Sequence, residues 1–286
     1  MAGPRSMTGF GRASARVGAL GATVEVASVN QRGLAPVVHL PAEWASLEPE
    51  LAARIRASIQ RGKVTLRVSP ERGAVGAADI VGPLAQLREL AHKAGIPGEP
   101  DWDVLLRLSE RSSLAPVPPL GDDGVAALMG AVDAALAAHA AMREREGAAL
   151  AADLASRLDR LAALVDAMET SAAGGPARQK ERLLRRLADL GVGVDPADER
   201  VLRELALHAD RADIAEEVTR LRSHIGQGRG LLTQAAPGRA LDFLTQELLR
   251  EVNTVGSKAS ELATTQAVLE AKVEVERFRE QVQNLE

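Results

Sequence analysis

The stretch LASRLDRLAALVDAM, residues 154–168, sets Leu154, Leu158, Leu161, Val165 and Met168 at steps of four, three, four and three. The stretch VLEAKVEVERFREQVQNL, residues 268–285, repeats the alternation with Val268, Ala271, Val275, Phe278, Val282 and Leu285. An apolar repeat averaging about 3.5 residues keeps one edge of a helix against a partner helix as both supercoil. The simplest expectation is a long antiparallel hairpin or bundle in which the two seams pack together. The competing expectation turns one seam towards another subunit and makes the chain an oligomer. Outward from these seams the pattern is helical from about Asp122 almost to the last residue, and SAAGGPARQ (171–179) is its clearest break.

The first third reads differently. Residues 22–30, ATVEVASVN, alternate and are rich in Val, a strand signal, and APVVHLP supplies a second short strand ended by Pro41. Residues 42–60 then put Trp44, Leu47, Leu51, Ile55 and Ile59 on one helical face, Gly62 ends that helix, and KVTLRVSP returns to strand alternation. Strand, strand, helix, strand predicts a small sheet with a helix on one side. Further helices are expected near residues 84–93 and 102–108, followed by a linker, APVPPLGDDG. The predicted fold class is α+β and predominantly α-helical. Residues 1–121 form a small mixed α/β N-terminal domain with a variable middle, and residues 122–286 form a helical C-terminal domain.

Composition narrows the chemistry. The 286 residues are 46% hydrophobic and 26% charged, the balance of a globular chain. There is no Cys and no Tyr, which excludes disulfides, thiolate metal sites and cysteine or tyrosine nucleophiles. No G-x-S-x-G elbow, phosphate-binding G-x-x-x-x-G-K-[ST] loop or H-E-x-x-H is present, and TGFGRAS precedes its strand instead of following it, so it is no dinucleotide turn. MAGPRSMTGFGRAS lacks the apolar core of a signal peptide, and the Ala-rich stretch 125–142 is broken by Asp133 and His139. A cytoplasmic protein with no membrane span and no small-molecule cofactor is expected.

Charge is spread unevenly. Residues 1–73 carry ten Lys/Arg against five Asp/Glu, a net +5, which leaves −9 for residues 74–286. Arg5, Arg32, Arg61 and Lys63 stand beside turn residues, where a phosphodiester backbone can be gripped. With so few aromatic residues, RNA bound here should be held through phosphate and shape more than through stacking. In RADIAEEVTRLRSH, residues 211–224, Asp213, Glu217, Arg220 and His224 share one helix face. Carboxylates and an imidazole together suit a divalent cation, whereas a solvated salt-bridged face, such as a Glu216–Arg220 pair, is the plainer reading. In LDFLTQELLREVNTVGSK, Glu247 and Glu251 lie four apart and repel unless a cation, or a base such as Arg250, sits between them.

RSMTGFGRA, SVNQRGL followed by LP, LEPELAARIRASIQRGKV, RADIAEEVTRLRSH, GRALDFLTQEL with REVNTVGSKA, and EVERFREQVQNLE stand in the order found in the YicC-like family, which the chain resembles over essentially its full length. Gly33, Leu249, Gly226 and Gly228 depart from that family's pattern, the last two by interrupting a helix with small residues. The resemblance implies a ring-like hexamer and a cytoplasmic endoribonuclease that cleaves single-stranded RNA with Mn²⁺ or Mg²⁺. It places the acidic and histidine positions on Asp213, Glu216, Glu217, His224, Glu247 and Glu251. Of these, Asp213, Glu217, His224, Glu247 and Glu251 are the metal ligands expected, with Glu247, Glu251 and His224 catalytic. The RNA contacts implied are Arg5, Arg32, Arg61, Lys63, Arg220 and Lys258. The alternative is a non-catalytic RNA-binding scaffold that presents RNA to another nuclease.

Overall fold

A computed structural model describes residues 3–17, 20–71, 77–95, 101, 103, 117–189, 191 and 198–286. The class is the expected one, helix-dominated α+β. The chain divides into two compact units, Met7–Arg143 and the residues up to Ser6 together with Glu144–Glu286.

The first unit is built on four strands, β1 (Gly9–Val17), β2 (Leu20–Val29), β3 (Leu34–His39) and β4 (Gly62–Glu71), in the order β1-β2-β4-β3. β2 pairs antiparallel with β1 and β4, while β3 runs parallel to β4. Alternation sends Ala22, Val24 and Val26 of β2 and Val64, Leu66 and Val68 of β4 to one face. They form a core with Trp44, with Leu51 and Ile55 of α1 (Glu48–Ser58), and with Leu128, Val132, Ala135 and Leu136 from the first half of α3 (Asp122–Ala172). Helix α2 (Ala77–Lys93) lies between them in sequence and includes the helix expected at 84–93. The helix expected at 102–108 lies outside the described residues.

Two sequence expectations change here for physical reasons. Residues 42–60 do not make one helix: a 3₁₀ turn runs Ala42–Leu47, and α1 starts at Glu48. Pro49, which has no N–H to give, is tolerated only in a first turn. Strand β1 was not foreseen, because its inward positions are Gly9, Gly11, Ala13 and Ala15 and show no apolar alternation. They are small because α3 lies close. A Cβ on Gly11 would collide with the Ala135 carbonyl, and one on Gly9 would come within 2.6 Å of the Arg143 side chain. Residues 125–142 have the length and hydropathy of a bilayer span, yet their buried positions line this core and Asp133 pairs with Arg54 at 2.6 Å.

The second unit takes the second half of α3 and adds α4 (Gly175–Asp189), α5 (Glu199–Ala212), α6 (Ala215–Leu231), α7 (Gly238–Lys258) and α8 (Leu262–Val282). Both seams lie in its core. Leu154, Leu158, Leu161, Val165 and Met168 of α3 cluster with Val268, Ala271, Val275, Phe278, Val282 and Leu285, and with Val218, Leu221 and Ile225 of α6 and Leu244, Leu248 and Val252 of α7. The terminal seam is therefore used within the chain and is not a surface for a second copy. Helix α6 runs unbroken through Gly226 and Gly228, and Gly228 is buried where a Cβ would sit 3.0 Å from Leu158 and 3.1 Å from Leu244. The N-terminal segment belongs to this unit, since Arg5 N donates to the Glu286 carbonyl at 2.9 Å and Glu286 N returns the bond at 2.7 Å. The domain boundary expected at 121/122 coincides with the start of α3, whereas the units divide inside that helix, where no break in the chain marks it.

Candidate active site

Helices α6 and α7 are joined by residues 232–237 and pack side by side. They run antiparallel, because the partners of successive α6 residues move backwards along α7. Glu217 meets Lys258, Arg220 meets Glu251, and His224 lies beside Glu247 and Glu251. The apolar residues Val218, Leu221 and Ile225 face the core, so the polar stripe one position round the helix is left along the rim of the hairpin.

At one end of the stripe Glu217 is almost fully buried and its carboxylate is satisfied several times over. Lys258 Nζ donates to both oxygens at 3.1 Å, and Arg220 Nη2 donates at 3.1 Å. The same lysine donates to the Asp213 carbonyl at 2.8 Å, while the Asp213 carboxylate accepts from Ala215 N at 2.9 Å and so caps the start of α6. Arg220 reaches along the stripe, with Nη1 3.2 Å from Glu216 and Nε 2.9 Å from Glu251 Oε2. That last contact is a close ion pair, not an aligned hydrogen bond, and it leaves the buried Oε2 with unused acceptor capacity.

At the other end, one ligand atom each from His224, Glu247 and Glu251 lies within 4.8 Å of the others. The His224 Nδ1 is buried and accepts no hydrogen bond among the described residues. Arg250 approaches Glu247 only to 3.6 Å and is largely exposed, so it does not fill the space between the two carboxylates. An imidazole and two carboxylates brought together in this way match the donor set of a divalent cation such as Mn²⁺. These residues fit such an ion.

The structure thus gathers His224, Glu247 and Glu251 and directs the other acidic positions elsewhere. Asp213 and Glu217 are engaged in a cap and a buried ion pair, and neither joins the three-residue group. Arg220 and Lys258 neutralise buried carboxylates from the same hairpin. Among the basic residues expected to meet RNA, Arg5 pairs with Glu144 at 2.5 Å. Arg32, Arg61 and Lys63 are exposed together where the β2–β3 turn meets the start of β4, and Gly62 N donates to the Gly33 carbonyl at 2.9 Å between them. Gly33 (φ 75°) and Gly62 (φ 106°) take left-handed backbone there, which a side chain would oppose. Sequence reading missed that Arg67 and Arg12 share the open sheet face with Lys63. The two-residue period of KVTLR carries that signal for Arg67.

Comparison with known proteins agrees with the architecture. The family described as "Endoribonuclease YicC-like, N-terminal region" matches residues 5–152, and "Endoribonuclease YicC-like, C-terminal" matches residues 168–286. A Haemophilus influenzae protein named "Probable endoribonuclease YicC" is 35% identical over 98% of this chain and 99% of its own length. A Clostridioides difficile protein of the same name is 31% identical with the same coverage.

Proposed function

The chain belongs to the YicC-like endoribonuclease family over nearly its whole length, and from that premise we propose that it is a cytoplasmic endoribonuclease cleaving single-stranded RNA with the help of a divalent cation, Mn²⁺ or Mg²⁺, held by His224, Glu247 and Glu251. The observation that carries this reading is the convergence of His224, Glu247 and Glu251, one ligand atom from each within 4.8 Å of the others, at a histidine whose buried Nδ1 has no hydrogen-bond partner among the described residues. When bound, such an ion supplies Lewis-acid activation of the phosphodiester and of an attacking water.

The protein's own residues do the rest. Arg220, braced by Glu216 and Glu217, holds the Glu251 carboxylate in place. The Lys258–Glu217–Asp213 contacts lock the start of α6 against the end of α7, which fixes the spacing of the stripe. Glu247, only partly buried where Glu251 is buried, is the one of the two carboxylates that can both reach substrate and accept a proton from water.

We extend the proposal to a homo-oligomer, the hexamer of the family resemblance. With the seam occupied, the surface that suits a second copy is the outer stripe of α8, where Leu269 and Val273 are exposed beside Leu164. Leu269→Glu/Val273→Glu should lower the mass measured by light scattering.

The activity is tested by incubating purified protein with an end-labelled single-stranded RNA in Mn²⁺, in Mg²⁺ and in excess chelator, alongside Glu247→Ala/Glu251→Ala. Cleavage that requires metal and is lost in the still-folded variant, leaving 5′-phosphate ends, is the expected result. Cyclic-phosphate ends would mean attack by the neighbouring 2′-hydroxyl, and binding without cleavage in every lane would mean a scaffold that presents RNA to another nuclease.

A further inference from the structure

The sheet of the first unit has one face in the core and one face open. Register places the open-face side chains in rows across the strands. Phe10, Ala27, Thr65 and Val37 form one row, and Arg12, Glu25, Arg67 and His39 the next. On the other side of the Phe10 row lie Val29, Lys63 and Ala35, with Arg61 and Arg32 in the adjoining turns.

Three features of this face stand out physically. Phe10 is 45% exposed and Val29 53% exposed, although a Phe is scarce in this chain and costs free energy in water. The residues beside Phe10 in its row, Ala27, Thr65 and Val37, are too short to overhang the ring. Arg32, Lys63 and Arg67 form no ion pair among the described residues, and Arg12 approaches Glu25 only to 3.9 Å. The two acidic residues of the face are otherwise engaged, since Glu25 faces Arg12 and Glu71 accepts from Thr23 at 2.7 Å at the far end. Lys63 and Arg67 lie two strand spacings across and one row along from Phe10, about 12 Å between Cα atoms, within reach of their long side chains, and cations flanking an exposed aromatic ring match a chain that alternates phosphates with flat bases.

We propose that this open sheet face is a single-stranded RNA platform, on which Phe10 stacks a base while Arg12, Lys63 and Arg67 hold the flanking phosphates and Arg32 and Arg61 extend the track beyond the strand ends. This rests on the reading of the chain as a protein that acts on RNA, and it assigns a stacking residue where composition alone argued against stacking. The platform binds by backbone charge and by one aromatic surface, so it discriminates single strands from duplex more than one sequence from another.

The test is fluorescence anisotropy with a labelled single-stranded oligoribonucleotide of mixed sequence and with its duplex, in chelator so that nothing is cut. Wild type is compared with Phe10→Ala, with Arg32→Glu/Lys63→Glu/Arg67→Glu and with Glu247→Gln/Glu251→Gln. The altered platform residues are exposed, and thermal melting and light scattering check that each variant keeps its fold and mass. Phe10→Ala should weaken single-strand binding about 5- to 100-fold and leave the weaker duplex binding nearly unchanged. The triple charge reversal should abolish binding and its salt dependence. Unchanged affinity in Phe10→Ala and in the triple variant, or no binding by wild type, overturns the platform. A fall in mass at unchanged RNA affinity also overturns it and makes the face a contact between copies. Wild-type RNA binding that the platform variants lose, in a protein that never cleaves RNA with metal, leaves the platform standing and sinks only the nuclease reading.

Discussion

His139 makes the first unit sensitive to acid, and the size of the effect follows from its surroundings. The side chain is 1% exposed on α3, over Gly9 and Gly11 of β1. Ser28 Oγ donates to the Met7 carbonyl at 3.1 Å, so at 2.8 Å it accepts from His139 Nε2, and the neutral tautomer with the proton on Nε2 satisfies the network. A second proton would place a cation in a buried site beside Arg143. Burial first, and the Arg143 charge second, lower the His139 pKa from 6.5 to about 4. The unfolded chain therefore takes up a proton before the folded one does. This contribution is fully present above pH 6.5, is lost as pH falls from there to about 4, and is constant below. Between pH 7.5 and pH 5 the linkage amounts to about 2 kcal/mol, or about 1–2 kcal/mol after partial screening by solvent. The assay is urea unfolding followed by Trp44 emission, which reports this unit because the ring is buried and donates to the Pro118 carbonyl at 2.9 Å. A Trp102→Phe background makes Trp44 the single reporter. Carboxylates elsewhere also respond to acid, so the comparison is with His139→Gln, which keeps a donor to Ser28 without titrating. Wild type should lose about 1–2 kcal/mol more than the variant over this interval, and parallel losses would refute the reasoning.

Three further outcomes follow from packing. Gly11→Ala should destabilise the first unit by about 3 kcal/mol or prevent its folding, read by the same Trp44 transition, because the new methyl meets the Ala135 backbone. Gly226→Ala, on an exposed turn of α6 with open space around it, should instead raise the urea midpoint of the second unit followed by far-UV circular dichroism, worth about 0.5–1 kcal/mol. Lys258→Ala removes one of the two cations on the buried Glu217 and should cost the second unit about 2 kcal/mol in urea unfolding followed by far-UV circular dichroism, since Arg220 remains. Adding Glu217→Leu should recover part of that loss.

The helical half was legible because its seams are long and strictly periodic, and each seam residue lies in the core that the periodicity implied. The strands β2, β3 and β4 were legible for the same reason. Strand β1 was not, because glycine and alanine face α3 there, and close approach of a helix backbone erases the apolar alternation that marks a strand. The division between the units was invisible because it falls within an unbroken helix of 51 residues. In the candidate site, the spacing put Glu217, Arg220 and His224 on one face of α6, where the structure has them, while Asp213 lies before the helix. Spacing along one helix does not reveal what the neighbouring helix brings, however. Lys258 arrives from α7 to occupy Glu217, and Asp213 turns back to cap its own helix. Only the antiparallel register of α6 and α7 separates those two carboxylates from His224, Glu247 and Glu251. The open sheet face needed the same information, since Phe10 and Lys63 are distant in sequence and become neighbours through strand register alone.

The most direct test of the central claim is the stoichiometry of Mn²⁺ bound to the RNA-free protein, read by electron paramagnetic resonance of the free ion in wild type and in Glu247→Gln/Glu251→Gln. One tightly bound ion per chain in wild type and none in the variant is the expected result, with unfolding curves showing both folded. Equal binding by the two proteins, or no tight site in wild type, would contradict it.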